Sequence, residues 1–335
     1  MVTRILLFVV VALLVLAGGT FTALQVRRPA MTAPSTMVVD RSAARIERGR
    51  YLFETVSACG DCHSPGDWTR FGGPVAPANV GKGRVMPEAM GLPGTIVAPN
   101  LTSDAQTGAA RWSDGQLMRA IREGIGHDDR PLFPLMPYAD YASMSDEDVQ
   151  ALVAFIRTLP PVVNPLPPTR INFPVNLLIK SAPKPVGKVP APDRGDPVAY
   201  GRYLTRIAGC QSCHTPNAHG EIVEEELLSG GREFPFSDAV KVVSANITPD
   251  TATGIGQLTE EQFLDKFYQY KEYAEKGSPV VPLANNTVMP WLGYARFEPA
   301  DLRAIYAFLR TVPARRKSVV THPDAEDRAG QAKKG

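Results

Sequence analysis

Cys59, Cys62 and His63 stand as C-x-x-C-H, and Cys210, Cys213 and His214 repeat the pattern. Two thiols three positions apart can reach one porphyrin edge and form thioethers there. The histidine beside the second thiol is then turned toward the iron. Covalent haem c is the chemistry that this spacing serves. Both copies continue as His-[Ser/Thr]-Pro, through Pro65 and Pro216, and together they take all four cysteines of the chain. No thiol remains for a structural disulfide or for a thiolate iron ligand. A zinc site would need two pairs roughly 150 residues apart to converge on one metal, and it leaves both histidines unexplained.

An iron held by one histidine has a second axial position, whose occupant decides between carrying electrons and performing chemistry. Met136 and Met289 are the candidates. Each is followed by proline and an aromatic residue (Tyr138, Trp291), and they lie 73 and 75 residues after His63 and His214. A lone methionine usually fills a core gap. Two at matched places after two haem motifs read as the sixth ligands. Met86, Met90, Met118 and Met144 have no counterparts and read as packing residues, while His127, His219 and His322 read as surface histidines.

A second shared word supplies further candidates: Asn100 and Thr102 in NLTSDAQTG, and Asn246 and Thr248 in NITPDTATG. Such side chains bond neighbouring backbone groups in turns. Two readings stay open, a self-bonded loop or donors aimed at the haem edge and propionates. Trp112 and Trp291 are further candidates for haem-pocket walls. A backbone carbonyl near each histidine is expected to accept its outer N–H and fix the ring.

These residues must be positioned by a repeated set of elements. A helical pattern through Ile46, Leu52, Phe53 and Val56 leads into the first motif, and Gly-Arg-Tyr-Leu occurs before both motifs at Gly49–Leu52 and Gly201–Leu204. A glycine within a helix costs about 1 kcal/mol, so its double use predicts close packing of another element there. Capping boxes at Ser113 with Gln116 and at Thr259 with Gln262 open short helices. Closing helices follow Ser145 and begin at Pro299, ending in AFIRTLP and AFLRTVP, and 19 residues separate the methionine from the phenylalanine of that word in both copies. The fold class expected is all-α: two tandem cytochrome c-like domains after an N-terminal membrane helix. The expected divisions are 1–28 (anchor or signal segment), 40–160 (first domain), 161–192 (Pro-rich linker), 193–314 (second domain) and 315–335 (disordered basic tail). Within the linker, NFPVNLLIK reads as one helical turn lying on a domain.

Ile5–Leu24 is twenty residues without a charge, which suffices to span a bilayer. A retained anchor is favoured over a cleaved signal segment, because no small-x-small cleavage site is evident. Arg4 precedes the segment while Arg27 and Arg28 follow it, against the positive-inside tendency. The haem motifs overrule that count, since haem c is attached outside the bacterial cytoplasmic membrane. The expected location is that membrane, with one pass and the haem units in the periplasm. Net charge is +2, with no signal for nucleic acid. Residues 40–160 carry 12 basic and 15 acidic groups and 191–313 carry 11 and 16, whereas the connector and both ends are basic. Basic residues beside an anchor attract anionic lipid headgroups.

Residues 42–313 resemble bacterial c-type cytochrome domains in tandem, and look like the multihaem cytochrome c subunits that serve membrane-bound dehydrogenases for alcohols, aldehydes and sugar acids. The words that carry the likeness are CGDCHSP, CQSCHTP, the two Asn-Thr-Asp loops, REG at Arg122–Gly124, PLFPLMPY and NTVMPW. The resemblance implies the cytochrome c helical fold, two covalent haems, His/Met axial pairs and periplasmic electron transfer. The chain departs from the three-haem subunits of that group by having two motifs. The function expected is electron transfer, not catalysis, from a dehydrogenase or quinol-oxidising partner to an acceptor protein. The competing expectation is a dihaem peroxidase-like enzyme with one reactive haem.

Overall fold

Residues 1–218 and 221–325 are described by a computed structural model. Helix α1, Val2–Val26, buries none of its residues and is the one described helix long and apolar enough to cross a membrane. The first unit begins with α2, Ala43–Tyr51, which runs into a single π-helical turn at Leu52–Val56. Its haem motif forms α3, Cys59–His63, followed by long loops, α4 (Asp114–Glu123), α5 (Tyr138–Tyr141) and α6 (Asp146–Ile156). The connector adds one turn, α7, Val175–Leu178. The second unit repeats the series with α8 (Pro197–Ile207), the haem motif as α9 (Cys210–His214), and α10 (Glu260–Tyr268). After α11 (Lys271–Lys276), which has no counterpart, come α12 (Trp291–Tyr294) and α13 (Pro299–Leu309).

Local sequence accounts for the helix ends. Ser113 accepts from the Gln116 backbone N–H at 3.1 Å and Thr259 from that of Gln262 at 3.2 Å, and both glutamine side chains return a bond to the cap residue's N–H. Each box satisfies donors that a helix start otherwise leaves orphaned. Ser145 caps α6 through the Asp148 N–H at 3.1 Å.

The repeated glycines are close-approach sites. A Cβ at Gly49 would lie 1.9 Å from the Ala151 carbonyl oxygen, and one at Gly201 would lie 1.8 Å from that of Ala304. So α2 crosses α6, and α8 crosses α13, with backbones in contact. Gly49 precedes Cys59 by ten residues, but Gly201 precedes Cys210 by nine. The π turn takes up the extra residue, which is how such turns arise.

Two expectations are corrected. The fold is mainly helical but not all-α. Among the described residues there are four two-stranded antiparallel ribbons: Arg84–Val85 with Val97–Ala98, Gly94–Thr95 with Arg170–Ile171, Asn217–Ala218 with Glu221–Ile222, and Glu233–Ser237 with Val240–Val243. Loops rich in Gly and Pro leave backbone groups without helical partners, and pairing short extended pieces satisfies them. The longest ribbon had a signal, since Val240 and Val242 alternate with less buried residues and both lie inward.

The tail is not a disordered segment over 315–325. The carbonyl of Arg315 accepts from Asn246 at 2.7 Å, that of Thr321 accepts from the Val243 N–H at 2.9 Å, and Asp324 accepts from the Lys241 N–H at 2.7 Å. The remainder of that expected tail, 326–335, lies outside the described residues, as does His219.

The two units meet through a reciprocal junction. The Tyr51 hydroxyl donates to Asp301 at 2.8 Å and accepts from the Glu298 N–H at 3.1 Å. In mirror fashion, the Tyr203 hydroxyl donates to Asp148 at 2.6 Å and accepts from the Ser145 N–H at 3.2 Å. Each tyrosine of one unit thus completes the N-terminus of the other unit's closing helix. Glu54 faces Arg296 and Asp140 faces Arg206, each at 3.9 Å. The Ser57 hydroxyl donates to the Ile207 carbonyl at 3.0 Å, and the apolar cores join into one cluster.

Candidate haem centres

Each motif helix is entered through a left-handed residue, Ala58 (φ 44°) before Cys59 and Gly209 (φ 72°) before Cys210. This reverses the chain so that the motif forms its own short helix. In both units the tyrosine four residues after the proline of the Met-Pro word holds the approach. Tyr141 donates to the Ser57 carbonyl at 3.2 Å and Tyr294 to the Ala208 carbonyl at 2.5 Å. Burial, and then the thiols of the neighbouring motif, push both phenols far above their ordinary pKa. Both therefore stay neutral donors.

His63 and His214 are buried, and each places Nδ1 on a carbonyl: Pro99 at 2.9 Å and Ala245 at 2.8 Å. A carbonyl only accepts, so Nδ1 carries the proton and Nε2 presents its lone pair. Burial lowers the pKa of both rings against the opposing pull of these carbonyls, which keeps them neutral and able to ligate. The expected carbonyl contact is present. Its acceptors, the carbonyls of Pro99 and Ala245, were not singled out from sequence. Their signal is position, since each immediately precedes the shared asparagine.

The asparagine loops take the self-bonded form. Asn100 donates to Thr107 and to the Val162 carbonyl, while its oxygen accepts the Thr102 N–H and hydroxyl at 2.9 and 2.7 Å. Asn246 repeats this with Thr253, the Arg315 carbonyl and Thr248. Asp104 and Asp250 accept from Thr107 and Thr253, whose hydroxyls hold both carboxyls below the usual carboxylate range. The side-chain donors of Asn100, Thr102, Asn246 and Thr248 are therefore committed within the protein and do not aim at a haem. They build the frame that holds the Pro99 and Ala245 carbonyls on the histidines.

The residue after each histidine also has a shared task. Ser64 accepts from the Gly81 N–H at 2.9 Å and Thr215 from the Leu228 N–H at 3.0 Å, tying the following loop back to the motif. Arg84 donates to the Cys62 carbonyl at 3.3 Å, and Arg232 donates to the Ser212 carbonyl. Neither arginine was picked from sequence, although each follows a glycine at a matching place.

Met136 and Met289 are half-buried and pack against the apolar core. In both words the aromatic N–H donates to the methionine carbonyl, Tyr138 to Met136 at 2.8 Å and Trp291 to Met289 at 2.7 Å. The intervening Pro137 (φ −81°, ψ 49°) and Pro290 (φ −73°, ψ 51°) lie near the inverse γ-turn, for which proline's fixed φ is pre-set. That is the physical content of the Met-Pro word.

Around these loops the units diverge. Trp112 stacks on His127 with ring centroids 4.5 Å apart, and both are half-buried, so His127 is not the surface histidine expected. Trp291 stacks on Tyr270 at 4.9 Å, and Tyr270 on Phe71 of the first unit at 5.2 Å. Asn286 is fully buried and crosses between units, donating to the Trp68 and Arg70 carbonyls, both at 3.0 Å, and accepting from the Gly72 N–H at 2.9 Å. Its own carbonyl accepts from His322 at 3.0 Å. His322 is half-buried, not the surface histidine expected. Met86, Met118 and Met144 are buried packing residues.

The residues fit a covalent haem at each motif. Two unbridged cysteines precede a neutral histidine whose Nε2 is left for iron, and the histidine's other nitrogen is anchored. Such a set is what a c-type haem attachment needs. The cytochrome c family model matches residues 46–160, which are a cytochrome c domain. Over longer stretches the chain is similar to the cytochrome c subunit of alcohol dehydrogenase (quinone) from Gluconacetobacter polyoxogenes, 28% identical over 82% of this chain and 57% of that protein. The fructose dehydrogenase cytochrome subunit of Gluconobacter japonicus is also 28% identical, over 82% of this chain and 54% of its own length. The chain thus spans little more than half of these two relatives. A diheme cytochrome c-type protein of Cereibacter sphaeroides is 29% identical over 90% of this chain and 96% of its own.

Proposed function

We propose that the chain is a membrane-tethered dihaem electron carrier, built from two tandem cytochrome c domains over 40–160 and 193–314. Cys59 and Cys62 hold one haem and Cys210 and Cys213 the other, with His63 and Met136, and His214 and Met289, as the axial pairs. Bound there, each haem iron supplies a one-electron couple. The chain's own residues keep the imidazoles neutral and oriented, exclude water with the joined core, and set Arg84 and Arg232 beside the motifs as positive charge. A dehydrogenase is the donor proposed, by likeness to the dehydrogenase subunits, and a second redox protein is the acceptor. The helix α1 anchors the chain with both units in the periplasm.

The observation that carries this reading is the approach of the two motifs. Ser57, two residues before Cys59, donates its hydroxyl to the carbonyl of Ile207, three residues before Cys210, at 3.0 Å. Attachment sites that meet across a rigid junction suit transfer from one haem to the other. Haem quantitation and EPR of the purified holoprotein test it. Two covalent haems, both low-spin when oxidised, are expected. Replacing Met136 or Met289 by alanine should each remove one sulfur-to-iron charge-transfer band. A stable high-spin haem in the unaltered oxidised protein would sink the carrier reading.

A further inference from the structure

The connector between the units is pinned at its root. Arg170–Ile171 pairs with Gly94–Thr95, the Asn172 N–H donates to the Pro93 carbonyl at 2.8 Å, and Leu177 and Ile179 are buried. Its outward side carries two large apolar side chains close together. Phe173 is 66% exposed and Leu178 is 61% exposed, on a segment held rigidly to the first unit.

This apolar tip sits at the end of α1. The ring of Phe173 meets that of Phe21 with centroids 6.2 Å apart. Lys180 donates to the carbonyls of Leu24 and Gln25 at 3.2 and 2.7 Å. A cation on the last carbonyls of a helix is favourable against its dipole and satisfies acceptors left open there. When α1 spans a bilayer, its last turn marks the depth at which hydrocarbon gives way to headgroups, so Phe173 and Leu178 lie at that depth too. The charge agrees. Residues 161–192 carry four basic side chains, Arg170, Lys180, Lys184 and Lys188, and no acidic one, while Arg27 and Arg28 follow α1 directly. Aromatic and aliphatic side chains flanked by lysines are what the interface of an anionic bilayer accepts.

We propose that residues Phe173–Lys180 form a second membrane contact, with Phe173 and Leu178 inserted beside the end of α1 and the surrounding lysines and arginines on anionic headgroups. This contact fixes how the first unit stands on the membrane, which a single flexible tether does not do. It rests on α1 being a retained span, as proposed above.

The native cysteines are consumed by haem, so a cysteine introduced into the holoprotein carries a spin label alone. Labels at Leu178→Cys, at Leu13→Cys within α1, and at Val280→Cys, which is 70% exposed on the second unit, are compared in vesicles of phosphatidylethanolamine and phosphatidylglycerol. The ratio of collisions with oxygen to collisions with a water-soluble nickel chelate should be several-fold higher at Leu178 than at Val280, and highest at Leu13. Water at Leu178 with hydrocarbon at Leu13 overturns the second contact alone. Water at Leu13, or a mature chain that lacks it, overturns the span and the contact together. Exchanging phosphatidylglycerol for phosphatidylcholine should lower the ratio at Leu178, and an unchanged ratio overturns the part given to anionic headgroups.

Discussion

The two units hold their motif histidines in the same way and their Met-Pro loops, proposed above to bring the second iron ligand, in different ways. Around His63 and His214 the bonding is nearly superposable: an anchoring carbonyl, an asparagine frame, and a serine or threonine that ties back the next loop. Around the methionines it is not. The Met136 loop closes on its own unit, with the Met136 N–H on Phe133 at 3.1 Å. The Met289 loop hangs on Asn286, which is bonded to the first unit, and its Met289 N–H reaches Thr287 at 3.0 Å. The difference teaches where a repeated unit is free to change. The histidine set by the motif keeps its surroundings, while the methionine on a loop takes whatever support the neighbouring surface offers.

The comparison breaks most visibly if the shared helix crossing is not shared in energy. Gly49→Ala and Gly201→Ala each force a methyl into a carbonyl oxygen less than 2 Å away. Overpacking of this kind costs about 3 kcal/mol or more. Denaturant unfolding of the holoprotein should show similar losses for both, and wild-type stability in either variant refutes the close-approach account.

Asn286→Ala tests the asymmetry. It strands the Trp68 carbonyl and the Gly72 N–H, and leaves the Arg70 carbonyl with the Gly73 N–H as its donor, at about 1–3 kcal/mol for an unmet buried group. The charge-transfer band and potential assigned to the Met289 iron should shift while those of the Met136 iron hold. A shift confined to the first haem contradicts the division drawn here.

The left-handed entry residues should respond with opposite signs. Ala58 bears a Cβ at φ 44°, which costs an L-residue roughly 1–2 kcal/mol. Ala58→Gly is expected to be neutral or stabilising by a fraction of this, because glycine also gains unfolded-state entropy. Gly209→Ala should destabilise by about 1 kcal/mol. Thermal unfolding measures both, and equal signs would remove the strain argument.

The smallest effect is in acid. Asp104 and Asp250 titrate below their free value because threonine hydroxyls bond the carboxylates. A depressed folded pKa means that their support is complete above about pH 4 and is lost as the pH falls through the lowered values. Both haem spectra should change together in that window. Asp104→Asn should remove only the first unit's share, and a change in the second haem as well would show that the frames are not independent.

Much of this was legible in the sequence, and the limits have physical causes. The motifs, capping boxes, glycine crossings and Met-Pro words are local, so each can be read where it stands. Pro99 and Ala245 act through a backbone oxygen, which no residue type advertises. The tail was read as disordered from its polarity, but the Asn246 frame takes the carbonyl of Arg315 just as the Asn100 frame takes that of Val162. That demand was visible only once one frame was known to need such a strand. Likewise the π turn is written in a count, ten residues against nine, and not in any residue of the turn.

The reciprocal tyrosine–aspartate junction has the form of a two-fold contact between separate subunits, where each side gives what it receives. Here both sides belong to one chain joined by residues 161–192. A tether of that kind makes association intramolecular, with an effective concentration on the order of millimolar. Contacts too weak to pair two proteins in dilute solution are then sufficient to keep the haem units docked, and the docking is independent of how much protein the cell makes.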